Sequence, residues 1–277
     1  MNEAIAIFDS GVGGLSVLYH LCQLLPYENI LYFADQAHVP YGPRSVQEIR
    51  VFCQAITNFL LDQGAKIIVV ACNTASAAAL SDLRHTFPHI PIVGMEPAVK
   101  PAAEKTESGR VGVLATAVTF QSTRYSDLMA RFARNITVYE DPCVGLVDLI
   151  ESGHLYTPQT KKLLQSILKP MLVANIDTLV LGCTHYPFVL PLLNEIVGTA
   201  VTIIDPAPAV ARQTMRVLKQ YHLLAPLAPS RQIRLLTTGD PRALQEFASR
   251  VLAETFATET AVWQNNGIDF PLTIGPG

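Results

Sequence analysis

The chain has 277 residues, 49% hydrophobic and 16% charged, a balance that buries well and leaves room for two modest α/β domains or one large one. With 20 basic against 23 acidic residues the net charge is −3 with His neutral, which gives no basic field for nucleic acid and no cationic patch for a membrane surface. No apolar run approaches membrane-spanning length, and the strand-like run Ala4 to Phe8 enters Asp9 with no leader-peptide pattern before it, so a soluble, cytoplasmic protein is expected.

Ala4 to Phe8 reads as the first strand, and Asp9-Ser10-Gly11-Val12-Gly13-Gly14 as the turn after it. The glycines fit neither a dinucleotide fingerprint, which needs glycine where Ser16 stands, nor a P-loop, which needs Gly-Lys-Ser/Thr. Asp9 and Ser10 either cap the helix from about Leu15 to Leu25 or belong to a site. The stripe Leu15, Leu18, Cys22 and Leu25 puts Cys22 in the core. Ile30 to Ala34 is a second strand ending at Asp35. The loop Gln36 to Arg44, with Pro40-Tyr41-Gly42-Pro43, is either a substrate rim or a plain turn. Ser45 and Glu48 form a capping box for a helix to Gly64, whose stripe Val46, Ile49, Cys53, Ile56 and Leu60 buries Cys53. Lys66 to Ala71 is a third strand, followed by Cys72-Asn73-Thr74 and an alanine-rich helix to about His85. After the short strand Ile92 to Gly94 the chain is expected to cross to a second domain at Met95-Glu96-Pro97.

The order then starts again. Arg110 to Ala115 is a strand ending in Thr116 and Thr119, placed as Asp9 and Ser10 are in the first half. A helix with Tyr125, Leu128 and Phe132 and a strand Ile136 to Tyr139 follow. A short helix from about Val144 to Ser152 carries Glu151 in its last turn, the unfavourable end of the helix dipole for an acid. A solvated surface residue is the plainer reading of Glu151. Cys143, beside Pro142, reads as structural. Thr157-Pro158 caps a helix buried through Leu163, Leu164, Ile167, Leu168 and Met171. Asp177 to Gly182 is a second strand ending on a cysteine, in Cys183-Thr184-His185-Tyr186-Pro187. Thr202 to Asp205 leads to the return crossing Pro206-Ala207-Pro208. A helix to Tyr221, a strand Ile233 to Thr238, the turn Thr238-Gly239-Asp240-Pro241 and a helix to about Ala253 complete the first domain, and the tail from Trp263 carries no signal. Alternating strands and helices mean α/β with largely parallel sheets.

The five cysteines, Cys22, Cys53, Cys72, Cys143 and Cys183, include no Cys-x-x-Cys, which argues against zinc and a disulfide framework and fits a reducing compartment. Cys72 and Cys183 differ from the rest in ending buried-type strands in matching halves, each followed by hydrogen-bonding side chains. Ligands of parallel sheets sit beyond the carboxyl ends of the strands, near helix N-termini that favour an anion or a thiolate. Two such thiols across one cavity suit racemisation, in which a proton leaves one face of a carbon acid and returns on the other. His185 beside Cys183 is a loop histidine or a group that sets the thiol's proton. A cysteine hydrolase, with Cys183 as nucleophile and His185 as base, and a binding module for an acidic amino acid are the other readings.

FDSGVGGLSV (Phe8 to Val17), VPYGPRS (Val39 to Ser45), ACNTAS, VLATAVT (Val113 to Thr119), LGCTHYPF (Leu181 to Phe188), IIDPA (Ile203 to Ala207) and the TTGD turn together resemble the glutamate racemase family over nearly the whole chain. The resemblance implies two pseudo-symmetric α/β domains, residues 1–94 plus 208–277 on the Cys72 side and 95–207 on the Cys183 side, with the active site in the cleft between them. It implies cofactor-independent interconversion of L- and D-glutamate for peptidoglycan, a small-molecule substrate as partner, and no metal; it leaves a homodimer open. Carried over by position, Cys72 would deprotonate D-glutamate and Cys183 L-glutamate, with Asp9 on the first side and His185 on the second, and Glu151 as a further carboxylate. Asp9, Ser10, Tyr41, Gly42, Asn73, Thr74, Thr116, Thr119, Thr184 and His185 match the substrate-binding set. The lysines show no strand-end placement of the kind that would call for pyridoxal phosphate. Aspartate racemase is the near relative, separated only around Tyr41 and Gly42. Where the family has Asp-Thr-Ala-Arg, this chain has Asp35-Gln36-Ala37-His38, which alters rim contacts, and the N-terminal extension of precursor-activated members is not seen, so such activation is not expected.

Overall fold

The structure, a computed structural model, describes residues 3–226, 231–264 and 267–271. Its strands are β1 (Ala4–Asp9), β2 (Ile30–Ala34), β3 (Ala65–Val70), β4 (Ile92–Gly94), β5 (Arg110–Ala115), β6 (Thr137–Asp141), β7 (Thr178–Gly182), β8 (Thr202–Ile204), β9 (Ile233–Thr237), β10 (Thr258–Thr260), β11 (Val262–Gln264) and β12 (Gly267–Asp269). One sheet has the order β10-β9-β2-β1-β3-β4 and a second the order β6-β5-β7-β8, both wholly parallel; β11 and β12 form an antiparallel hairpin. Parallel pairing follows from the helices between consecutive strands, since each crossover returns the chain to the same end of the sheet. Along β1, Ile5 and Ile7 pack into one apolar cluster while Ala4, Ala6 and Phe8 pack into another, so the strand is buried on both faces.

The run β2-β1-β3-β4 recurs as β6-β5-β7-β8, strand for strand. In each half the chain leaves the central strand to one side and returns on the other, which opens a crevice at the carboxyl ends of β1 and β3, and of β5 and β7. Asp9 ends β1 and Thr116 follows β5; Cys72 follows β3 and Cys183 follows β7.

The helix boundaries are set by local chemistry. Ser45 and Glu48 make the capping box of helix Val46–Asp62, and Thr157 caps helix Pro158–Val173 by accepting from the Thr160 N–H. Cys53 and Cys22 lie in the core, as their stripes require. One of the two readings of Asp9 and Ser10 is excluded, and two features appear that the sequence did not mark. Neither Asp9 nor Ser10 caps helix Leu15–Leu24, whose N-cap is Gly14 with no side-chain bond; the Asp9 carboxylate instead accepts the Gly11 N–H at 2.8 Å and holds the turn. The segment after Thr116 is two helices, Ala117–Phe120 and Thr123–Phe132, because Ser122 caps the second one afresh. Among the described residues near the C-terminus, β10, which precedes Trp263, extends the first sheet, and β11 and β12 pair antiparallel and pack on helix Val46–Asp62, each too short for a periodicity to show. Among the described residues no helix is long and apolar enough to cross a membrane.

Candidate active site

Cys72 occupies the N-cap of helix Asn73–Thr86, and its Sγ accepts the Ala75 N–H at 3.4 Å. That places a soft acceptor at the positive end of a 14-residue helix. The Ser10 hydroxyl lies 3.9 Å from the same sulfur. On the other sheet the Cys183 Sγ lies 3.7 Å from His185 Nδ1, and His185 Nε2 lies 2.5 Å from Glu151 Oε1. Glu151 is thus no solvated surface acid. It leaves its short helix toward the first sheet, where Val12 N–H donates to Oε1 at 2.8 Å and Gln36 Nε2 to Oε2 at 3.2 Å.

Further bonds join the halves. Thr184 Oγ1 donates to Asp9 Oδ2 at 2.9 Å, and Ser16 Oγ donates to the Thr184 carbonyl at 3.1 Å. The hydroxyls of Thr74 and Thr116 share a bond of 2.9 Å, and Thr116 and Thr119 one of 3.1 Å, so a ladder of threonines runs from one sheet to the other. Gly42 faces Thr116 so closely that an added Cβ would lie 3.3 Å from its Cγ2. The positions named from the sequence thus fall into two bonded groups, one around the thiols with Ser10, Asp9, Thr184, His185 and Glu151, the other made of Thr74, Thr116 and Thr119 with Gly42 against it; the run Cys72-Asn73-Thr74 joins them, and Tyr41 adjoins Gly42. Tyr41 turns its hydroxyl away, to Asp35 Oδ2 at 2.7 Å. Asn73 Nδ2 lies 4.0 Å from Met95 Sδ, and its buried Oδ1 has no donor among the described residues. The cluster is shut off from solvent: Cys72, Cys183 and Thr116 are 5%, 6% and 8% exposed.

Burial lifts the Cys72 thiol to about 12, with the Asp9 carboxylate adding to the rise and the Ala75 N–H opposing it. Burial also lowers His185, but its bonds to Cys183 and Glu151 outweigh that and raise it well above the ordinary imidazole value. Glu151 is held low, the pull of His185, Val12 N–H and Gln36 overcoming its burial. The second side is built to hold positive charge on an imidazole next to a thiol, and the first side to keep a thiol protonated. Asp9 is raised from 3.8 to about 6 by burial, against the pull of His185, Gly11 N–H and Thr184. A carboxyl that is harder to ionise folded than unfolded stabilises the fold fully below about pH 4, and that contribution, about 3 kcal/mol, is lost as pH rises through about 6. Urea midpoints should accordingly fall between pH 4 and 6.5 in the wild type relative to Asp9→Asn; parallel pH curves for the two proteins would refute the assignment.

Residues that the sequence reading left out complete the arrangement. The Asp35 carboxylate is fully buried and accepts from Tyr41, Thr238 Oγ1 at 2.9 Å and Trp263 Nε1 at 2.7 Å, with His38 Nδ1 at 2.9 Å. His38 stacks on Phe52 with ring centroids 4.0 Å apart, and Trp263 meets His38 edge-on. The 36–44 loop is thus fastened at its base by a carboxylate whose donors come from three separate parts of the chain. A lone aspartate at the end of a strand was the only sign of it in the sequence. Among the described residues no group of three or more His, Cys, Asp or Glu side chains is arranged to hold a metal ion.

A fold of two repeated parallel sheets with a cysteine at the matching strand end of each defines a class, and comparison with known proteins agrees on it. The family model described as Asp/Glu/Hydantoin racemase matches residues 21–214. A glutamate racemase of Ectopseudomonas mendocina is 52% identical over 92% of this chain and 97% of its own length. Among solved structures, a glutamate racemase of Bacillus anthracis superposes with a TM-score of 0.84 at 32% identity, covering 96% of this chain and 98% of that one. The glutamate racemase of Francisella tularensis in complex with D-glutamate gives 0.82 at 31% identity, covering 95% and 98%. The chain belongs to the Asp/Glu/Hydantoin racemase family, among its glutamate racemases, and is an isomerase.

Proposed function

We propose that this protein interconverts L-glutamate and D-glutamate without a cofactor, by proton transfer between two cysteines, and supplies D-glutamate for peptidoglycan in the cytoplasm. Residues 1–94 with 208–277 carry the Cys72 side and residues 95–207 the Cys183 side of the substrate cleft. What supports this reading most is the pair of buried thiols at corresponding strand ends of two sheets of the same order. The D-glutamate complex of the Francisella relative supports the substrate.

From L-glutamate, Cys183 acts as a thiolate beside the His185 imidazolium and takes the α-hydrogen as a proton. The electron pair stays on carbon in a planar carbanionic intermediate. Cys72 gives its S–H proton to the opposite face, which yields D-glutamate, a thiol on Cys183 and a thiolate on Cys72. The return reaction runs these steps backwards. Asp9 makes the Cys72 thiolate more basic, as abstraction of a weakly acidic C–H demands. The two substrate carboxylates are held by neutral donors: the hydroxyls of Ser10, Thr74, Thr116 and Thr119, the amide of Asn73, and the backbone N–H groups of the Tyr41-Gly42 turn, of the first turn of helix Asn73–Thr86 and of Thr184, whose hydroxyl already donates to Asp9. Since Tyr41 already donates its hydroxyl to Asp35, its offer to the substrate is its backbone.

Proton NMR of L-glutamate with the purified protein in deuterated water, alongside circular dichroism, tests the reading. Loss of the α-proton signal together with decay of ellipticity to zero is expected. If neither changes in reducing buffer with either enantiomer of glutamate or aspartate, the racemase reading fails. A Cys-His-Glu chain also suits a thiol hydrolase. Covalent trapping of Cys183 by an amide substrate, with Cys72 dispensable, would favour that reading instead.

A further inference from the structure

Gln36 has no part in the chemistry above, yet it is the side chain through which the first sheet grips Glu151. Its Nε2 donates to Glu151 Oε2 at 3.2 Å, while its Oε1 accepts from Thr237 Oγ1 at 2.7 Å. Thr237 fixes which way round the amide lies. The Thr237 hydroxyl already accepts the Gly239 N–H at 2.9 Å, so its proton is free to donate, and only the carbonyl end of Gln36 can receive it. The NH₂ end is thereby aimed at Glu151. The backbone adds to this: Ala37 N–H donates to Thr238 Oγ1 at 2.9 Å, and Gly239 comes so close that a Cβ there would lie 2.6 Å from Gln36 Cβ. Gln36 has little room to swing away.

We infer that Gln36 is a positioning residue for proton transfer at Cys183: held by Thr237, it orients the Glu151 carboxylate that in turn sets the His185 ring against the Cys183 sulfur. The inference rests on the two-cysteine reading. Glu151 Oε1 meets Val12 N–H and His185, so Oε2 has Gln36 as its partner among the described residues. Without Gln36 the carboxylate can rotate about its last torsion, carrying Oε1 off the line to His185. The other titratable groups that feel Glu151 are Asp9 and Tyr32, both fixed in the first sheet.

The test compares Gln36→Leu, Gln36→Glu and Thr237→Val with the wild type, measuring kcat/KM for both enantiomers from pH 4 to 9, so that the limb set by the lowered Glu151 carboxylate falls within the range, with thermal midpoints as the folding control. Gln36→Leu is expected to lose about ten-fold, the worth of roughly 1.4 kcal/mol of hydrogen bond to a charged group, equally for both enantiomers. Its acid limb is expected to move to higher pH, because a carboxylate deprived of a donor takes up a proton more readily. Gln36→Glu is expected to be worse than Gln36→Leu at pH 9, where two carboxylates face each other, and to recover relative to the wild type as pH falls and the new carboxyl becomes a donor again. Thr237→Val, which frees the amide to flip, is expected to share the shifted acid limb. A ratio of Gln36→Glu to wild type that does not change with pH, or acid limbs that coincide with the wild type in Gln36→Leu and Thr237→Val, overturns the inference. An inactive wild type would instead overturn the two-cysteine reading itself, so the two failures are distinct.

Discussion

Removing either thiol should stop racemisation in both directions at once. Cys72→Ala and Cys183→Ala are each expected to lose about 10³-fold or more in kcat/KM, the scale of a general acid or base at a carbon centre. The two directions must fall together, because enantiomers have equal free energy and the ratio of their kcat/KM values is fixed at one for any variant. The separate roles of the thiols show only in isotope exchange. With Cys183→Ala, the remaining Cys72 can still remove the α-proton of D-glutamate and return a deuteron to the same face, so D-glutamate should exchange in deuterated water without inverting. Cys72→Ala should exchange L-glutamate alone. Substantial racemisation by Cys72→Ala would sink the two-base proposal, and exchange of the wrong enantiomer would reverse the assignment of faces. Cys72→Ala removes one helix cap, worth about 1 kcal/mol, and Cys183→Ala one contact to His185, so thermal midpoints measured beside the kinetics separate loss of fold from loss of chemistry.

The second large effect is steric. Gly13 lies where the two halves meet, and a Cβ added there would come within 2.5 Å of both His185 Nδ1 and Thr184 Oγ1, and 2.7 Å of His185 Cε1. Such separations do not occur between real atoms, so something must move. His185 cannot back away, since its Nε2 is tied to Glu151 and it is 2% exposed. The remaining relaxation is for the halves to stay apart, which lengthens the Thr184–Asp9 and Ser16–Thr184 bonds and separates the thiols. Reacting groups misplaced by about 1 Å cost roughly 10²-fold, and Gly13→Ala should lose that much kcat/KM while each sheet keeps its own core. Far-UV circular dichroism and the thermal midpoint would be measured beside the kinetics. Activity within about three-fold of wild type would mean that the closed arrangement is not the reacting one.

The fold was legible because the strands of both sheets are short aliphatic runs bounded by polar turns, and the repeat of Cys-polar-polar at Cys72 and Cys183 pointed to the crevices. The threonine ladder was legible by position too, since Thr116 stands after β5 as Ser10 stands after β1. Only the family resemblance put Glu151 in the site; its helix alone suggested a surface acid, because sequence shows a residue's place on its own helix but not the loop from another sheet that covers it. Thr237 and Trp263 left no mark for a similar reason, and Gln36 showed only as a change on the rim. Their meaning lies in bonds between segments some 200 residues apart, and glutamine, threonine and tryptophan are at home on any half-buried surface. The Asp9 turn shows the limit of local reasoning from the other side. Its spacing suits a cap, but helix Leu15–Leu24 begins too late for Asp9 to reach its N–H groups, and the carboxylate folds back on Gly11.

The place of β9 and β10 in the first sheet bears on how the chain is made. These strands lie beyond β8 in sequence but pair beside β2, so the second sheet, residues 110–204, is whole before the first one is. During synthesis β1 to β4 can collapse early, yet β2 keeps an open edge, able to pair with a wrong strand, until residues past 233 leave the ribosome. The same late segment brings Thr237, Thr238 and Trp263 to Gln36 and Asp35. A nascent chain therefore holds both cysteines long before the 36–44 loop is fastened at its base, and the β2 edge stays open for the same interval.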